Sequence, residues 1–196
     1  MQAAQQFDYQ FRIHTFGAPF SGRTCLLHQI TDGVFLGDVS VFRNMDFRFK
    51  SIYIDDKSVR LQMWEFFLGD KYIEFKEDRL RRADAILMVY DITNQDSFDF
   101  ATKWIAETRK NPPPLTPILL LGNKIDLAEK RVIDTEKGLA LAKMYDAEFY
   151  ETSAKTGEGL KELVWELVNK LIKKQDAKQQ EAVKLTLESA QNSKCY

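Results

Sequence analysis

The 196-residue sequence predicts a single α/β domain, a mostly parallel six-stranded sheet with one antiparallel hairpin strand and helices on both faces. Short apolar runs alternate along the chain with stretches of helical apolar spacing, the pattern of strand–helix–strand units. Two runs, Ala85 to Asp91 and Pro117 to Gly122, are apolar almost without a break, as strands covered on both faces must be. Another pair, Asp46 to Ile54 and Val59 to Trp64, flanks the polar Asp55-Asp56-Lys57-Ser58 and reads as the hairpin.

Taken in order, Phe11 to Phe16 is a first strand ending at Gly17, and Thr24 to Ile30 resumes with helix-compatible spacing. After the hairpin and the Ala85 strand, Phe98, Ala101, Ile105 and Thr108 share a helical face, and Pro112-Pro113-Pro114 stops that helix near Asn111. Asp134 or Thr135 caps a helix reaching Tyr145, and Glu148 to Thr152 is one more strand. Leu160, Leu163, Val164, Leu167, Val168, Leu171 and Ile172 recur at three- and four-residue steps and form a stripe expected to pack on the sheet. From Lys173 onward Gln and charge replace the periodicity. The domain is therefore expected to span 1–172, with 173–196 a polar, flexible tail into which the last helix runs, exposed, before fraying.

Composition narrows the function. Lys+Arg 28 against Asp+Glu 29 and a pI near 6.2 lack the basic footprint of a nucleic-acid binder. Two cysteines, Cys25 and Cys195, are too few for a secreted disulfide framework and suit a reducing compartment. No apolar run approaches the ~20 residues that cross a bilayer, and the polar start has no signal-peptide core, so a cytoplasmic location is expected.

The window Gly17-Ala18-Pro19-Phe20-Ser21-Gly22-Arg23-Thr24 matches the phosphate-binding G-x-x-x-x-G-K-[ST] pattern except for Arg23. It leaves a strand and enters a helix, which aims backbone N–H groups at an anion and places the Thr24 hydroxyl for Mg²⁺. An ordinary strand-to-helix turn has the same ingredients. Asn123-Lys124-Ile125-Asp126 and Thr152-Ser153-Ala154-Lys155 follow two later strands, at the edge where ligands dock in open α/β sheets. Either alone is turn chemistry; the ordered set of three lifts them above it.

That set resembles the Ras superfamily of small G proteins, and within it the Rab branch, from about Phe7 to Ile172. Asp46-Phe47, Leu61-Gln62-Met63-Trp64 and Val89-Tyr90-Asp91-Ile92-Thr93 before Ser97-Phe98 are the Rab-like stretches. The resemblance implies a G domain that binds GDP or GTP with Mg²⁺. It gives Asp126 the two ring donors of guanine, and a carboxylate there would repel the acceptor nitrogen of adenine. It makes Asn123 and Lys124 the brace and cover of the base, with Ser153, Ala154 and Lys155 in the last loop and the Ala154 N–H on the guanine carbonyl. Gly17, Ser21, Gly22, Arg23, Thr24 and Cys25 fall on the phosphate side, with Thr24 the metal ligand.

The phosphate side departs from the family pattern. Arg23 is a larger planar cation than the family's Lys. Pro19 removes a backbone donor, and Phe20 stands where the family has Gly. Counting from Thr24, the switch Thr that binds Mg²⁺ falls at Phe42. The family's Trp-Asp-Thr-Ala-Gly-Gln-Glu becomes Trp64-Glu65-Phe66-Phe67-Leu68-Gly69-Asp70, so the water-positioning Gln is Gly69, the γ-phosphate Gly is Leu68, and no catalytic residue is assigned. Glu65 replaces the metal-associated Asp, and weakened Mg²⁺ is expected. Phe66, Phe67 and Leu68 form either a partner patch or, as favoured, a segment packed on the following helix or the Phe42 region. His14, in the first strand, and His28 are expected to be hydrogen-bonded core residues. Cys195 matches neither the double-Cys ending nor C-a-a-X.

Two functions fit these residues. One is a Rab-like guanine-nucleotide-binding monomer of vesicle traffic with very slow hydrolysis, meeting effectors or regulators through Phe42 to Asp70 and endomembranes only peripherally if Cys195 is lipidated. The other is a nucleotide-independent pseudo-GTPase serving as a protein-interaction module. A different P-loop enzyme is disfavoured, because no additional acid or base array appears.

Overall fold

The computed structural model describes residues 6–37, 46–66, 82–110 and 116–192. Its elements are β1 (Tyr9–Gly17), α1 (Arg23–Asp32), β2 (Asp46–Ile54), β3 (Lys57–Glu65), β4 (Ala85–Asp91), α2 (Gln95–Lys110), β5 (Ile118–Asn123), a 3₁₀ segment (Ile125–Lys130), α3 (Thr135–Met144), β6 (Glu148–Thr152) and α4 (Leu160–Asn192). The six strands form one sheet in the order β2-β3-β1-β4-β5-β6. Only the β2–β3 pair is antiparallel.

This order fixes where a ligand docks. The chain moves one way across the sheet from β1 to β3 and the other way from β4 through β5 to β6. Right-handed crossovers taken in opposite directions put α1 on one face and α2 and α3 on the other. Accordingly α2 and α3 share a core with Phe16, Met88, Tyr90 and Leu120, to which they add Trp104, Ile105, Leu141 and Ala142. Leu26, Leu27 and Ile30 of α1 are buried outside that cluster. Every residue of β4 and β5 is buried, as their unbroken apolar runs require. The reversal opens a crevice at the carboxyl edge, where Gly17, Glu65, Asp91, Asn123 and Thr152 end their strands.

Several boundaries differ from expectation. The hairpin turn is two residues, not four: Asp55 and Asp56 both lie in the left-handed region, at φ 47° and 62°. That is the twist a tight turn needs between right-twisted strands. Lys57 and Ser58 therefore belong to β3, opposite Ile54 and Tyr53, and their polarity had hidden it. β1 begins at Tyr9, beside Val59, because main-chain pairing continues beyond the apolar run. α2 starts at Gln95, with the Asn94 side chain accepting the Ser97 N–H at 3.0 Å as its cap. The Pro112 to Pro114 stop lies outside the described residues.

Residues 67–81 and the Phe42 region, on which Phe66 is expected to pack, lie outside the described residues, but Phe66 is buried. It stacks on Phe16 at 5.3 Å between ring centres and meets His14 edge-on at 4.8 Å, so the aromatics of β1 hold it. Phe42, Phe67, Leu68, Gly69 and Asp70 lie outside the described residues. His14 is thus an interior residue among aromatic rings, whereas His28 sits on α1 with Nδ1 3.4 Å from Asp32.

The chain divides into two compact units, Met1–Lys161 and Glu162–Tyr196. The second is mostly α4. Its Leu163, Leu167, Val168, Leu171 and Ile172 are buried, and the helix continues through the polar stretch after Lys173 to Asn192. Among the described residues no helix is long and apolar enough to cross a membrane. Cys195 lies outside them.

Candidate functional site

The loops after β1, β5 and β6 meet at the carboxyl edge, and Asn123 joins them. It is the last residue of β5 and fully buried. Its Nδ2 donates to the Ser21 carbonyl at 2.9 Å, and its Oδ1 accepts the Ala154 N–H at 3.1 Å. No Cβ fits at Gly22, where it would lie 2.4 Å from Asn123 Nδ2, and Gly22 also has φ 92°. Glycine is required there on both counts.

Beyond Asn123 the chain turns sharply. Lys124 adopts φ 70°, and its Nζ lies 2.6 Å from Asp91 Oδ2 at the end of β4. Asp91 is itself oriented, since its other oxygen accepts the Thr93 N–H and hydroxyl. Asp126 lies in the first turn of the 3₁₀ segment, half-buried, and accepts the Ser153 hydroxyl at 2.6 Å. Ser153 Oγ in turn accepts the N–H groups of Lys155 and Thr156, which makes it the hinge of the last loop. Lys155 itself is exposed.

The first loop is well framed at its ends and irregular between them. A Cβ at Gly17 would stand 2.3 Å from the Val89 carbonyl, so β1 and β4 pack closely there. Phe20, a residue 87% exposed, takes φ 64°, a left-handed conformation that costs a bulky residue energy. Ser21 donates its N–H to the Ala18 carbonyl and lies buried. α1 then begins with no side-chain cap and no acid in its first turn, and it ends on Gly33 at φ 70°. Its leading amides are thus bonded by no capping side chain. Cys25 lies on α1 with Sγ on the Leu36 carbonyl at 3.1 Å, and burial pushes its thiol pKa up.

Arg23 does not follow the helix into the crevice. Only 4% exposed, it donates from Nη1 to the Phe66 carbonyl at 2.7 Å and lies 3.6 Å, through Nε, from Glu65 Oε1. The same Glu65 oxygen accepts the Thr24 hydroxyl at 3.0 Å. Burial pulls the Arg23 pKa down and Glu65 pulls it up; a guanidinium stays charged regardless. The end of β3 is therefore locked to the first loop through a buried ion pair.

The structure thus brings together Gly17, Ser21, Gly22, Thr24, Asn123, Lys124, Asp126, Ser153 and Ala154. It gives Ala154's N–H to Asn123 and turns Arg23 toward Glu65 and Phe66. Asp91 is the residue sequence reasoning missed as a brace for Lys124. Its signal was an acid closing an otherwise apolar strand.

The sequence is similar to those of known proteins. The Ras family model matches residues 12–173. Ras-related protein Rab-15 of Rattus norvegicus is 36% identical over 159 residues, covering 81% of this chain and 75% of its own. Ras-related protein Rab-26 of Mus musculus is 36% identical over 173 residues, 88% of this chain and 66% of its own. Rab-26 of Homo sapiens is 38% identical over 152 residues, 77% and 59% respectively. With the mixed six-stranded sheet and the three loops converging at its carboxyl edge, this chain belongs to the Ras family, as a Rab-like small GTPase.

Proposed function

We propose that the chain is a Rab-like guanine-nucleotide-binding protein of vesicle traffic, holding GDP or GTP while its Mg²⁺ binding and hydrolysis are impaired. The observation that carries this reading is the junction in which Asn123 ties the Ser21 loop to the Ala154 loop while Ser153 steadies Asp126. The donor set fits a guanine nucleotide. Asp126 offers a carboxylate held in place for two ring N–H groups, Lys124 is braced to cover the base, and the uncapped start of α1 offers amides to phosphate. The Rab names of the relatives support the trafficking assignment.

Mg²⁺ fits less well. When bound, a divalent ion neutralises phosphate charge. Thr24 and Glu65 lie together, but Arg23 already offsets the carboxylate. Gly69 has no side chain to orient a water, and Phe42 and Leu68 replace groups that contact metal and γ-phosphate. Effectors or regulators would meet the Phe42 to Asp70 surface of a monomer, with membrane contact peripheral if Cys195 is lipidated.

The nucleotide-independent reading, a pseudo-GTPase used as an interaction module, is favoured by the left-handed Phe20 and the diverted Arg23. Denaturing the purified chain and running the supernatant on anion exchange separates the two. The expected result is stoichiometric GDP or GTP, with heat on titrating stripped protein with GDP but not ADP, lost in Asp126→Ala. No nucleotide and no heat would favour the module. Gly69→Gln is expected to leave GTP turnover slow, and full recovery would overturn the assignment of the defects to Phe42 and Leu68.

A further inference from the structure

We infer that Arg23 is the site's own cation: its guanidinium takes the charge-balancing place of a divalent metal beside Glu65 and Thr24, and it ties the first loop to the end of β3 without any metal. Glu65 is as buried as Arg23, each 4% exposed, and a buried carboxylate needs a compensating positive charge. That charge comes from within the chain, 3.6 Å away. Thr24 donates a hydroxyl hydrogen bond to the same Glu65 oxygen, so among the described residues Arg23 and Thr24 converge on one carboxylate.

The guanidinium also does what a point charge cannot. Its fork reaches past Glu65 to the Phe66 carbonyl at 2.7 Å, while the Phe66 N–H bonds the Thr15 carbonyl at 3.2 Å. The peptide leaving β3 is thereby held on both sides. A divalent ion arriving at Thr24 would meet a carboxylate whose charge is already spent and a cation already beside it. Arg23 could follow a phosphate only by giving up the Phe66 carbonyl and leaving Glu65 buried and unbalanced, a costly exchange. Nucleotide binding here is therefore metal-independent, a consequence that rests on the proposed guanine site, whereas the internal cation itself does not.

The test uses Mn²⁺ and Mg²⁺ with nucleotide-stripped full-length protein. Wild type should leave the free Mn²⁺ resonance signal unchanged, and its melting midpoint should agree within about 1 °C between excess Mg²⁺ and excess EDTA, since an ion that does not bind cannot stabilise. Arg23→Met should melt lower in EDTA, recover on adding Mg²⁺ and take up Mn²⁺ at the freed Glu65. Should Arg23→Met not fold, Arg23→Gln, which keeps an amide donor for the Phe66 carbonyl, is read the same way. Uptake of Mn²⁺ by wild type that Thr24→Ala removes, or a folded charge-free variant that takes up none, would overturn the inference.

For GDP, wild-type dissociation constants in Mg²⁺ and EDTA should agree within about threefold, and a loss of about tenfold in EDTA would also overturn it. Absence of GDP binding in both buffers would sink the guanine-nucleotide reading alone, and the Mn²⁺ result then decides the internal cation.

Discussion

The side chain of Asn123 donates to the main-chain carbonyl of Ser21 across 2.9 Å, although 102 positions separate the two in sequence. Because the Asn123 oxygen also holds the Ala154 N–H, one fully buried amide sets the spacing between three loops. Asn123→Ala should therefore leave a buried acceptor and a buried donor unbonded and lower stability by about 2–4 kcal/mol. Urea unfolding measures this. Asn123→Asp keeps the acceptor for Ala154 but sets a carboxylate against the Ser21 carbonyl, so it should not rescue.

Phe20 occupies a left-handed conformation with its ring in solvent, so removing the side chain relieves strain and forfeits almost no packing. Phe20→Gly should raise stability by about 1 kcal/mol, seen as a shift of the urea midpoint with unchanged slope. A loss of stability would show that the exposed ring packs on something that holds it there.

Phe66 bridges β3 to the aromatic interior through Phe16 and His14. Phe66→Ala should cost about 3–5 kcal/mol, the range for emptying a buried aromatic site. Its main-chain carbonyl remains for Arg23, so calorimetry should find the metal response of the variant unchanged even as its melting point falls.

Asp8 accepts both the N–H and the hydroxyl of Ser58, each at 2.7 Å, and these bonds hold its carboxyl below its ordinary pKa. A depressed acid stabilises the fold above its unfolded pKa, and that contribution fades as the pH falls through the folded value. Proton-coupled NMR titration should place Asp8 lower than a free aspartate. Asp8→Asn should flatten the acid limb of the stability curve by lowering stability at neutral pH while changing little below the folded value.

The sequence by itself determined the sheet. Unbroken apolar runs made β4 and β5 central, and helical spacing after β1, β4 and β5 demanded crossovers. The three loop motifs were legible because strand ends and turn residues are local properties. Placing the motifs at one edge needed only the rule that parallel strands of a sheet end together.

What only the tertiary structure decided is where the charged groups went. Position 23 reads as a phosphate ligand in the linear pattern. Its buried partners Glu65 and Phe66 lie more than forty residues onward, and nothing local announces them. The same holds for Asp91 beneath Lys124 and for the aromatic bed of Phe66, contacts set by sheet register and by burial, which a one-dimensional pattern does not carry. Hydrophobic periodicity is written along the chain, whereas the balance of a buried charge depends on whichever residue the fold brings within a few ångströms of it.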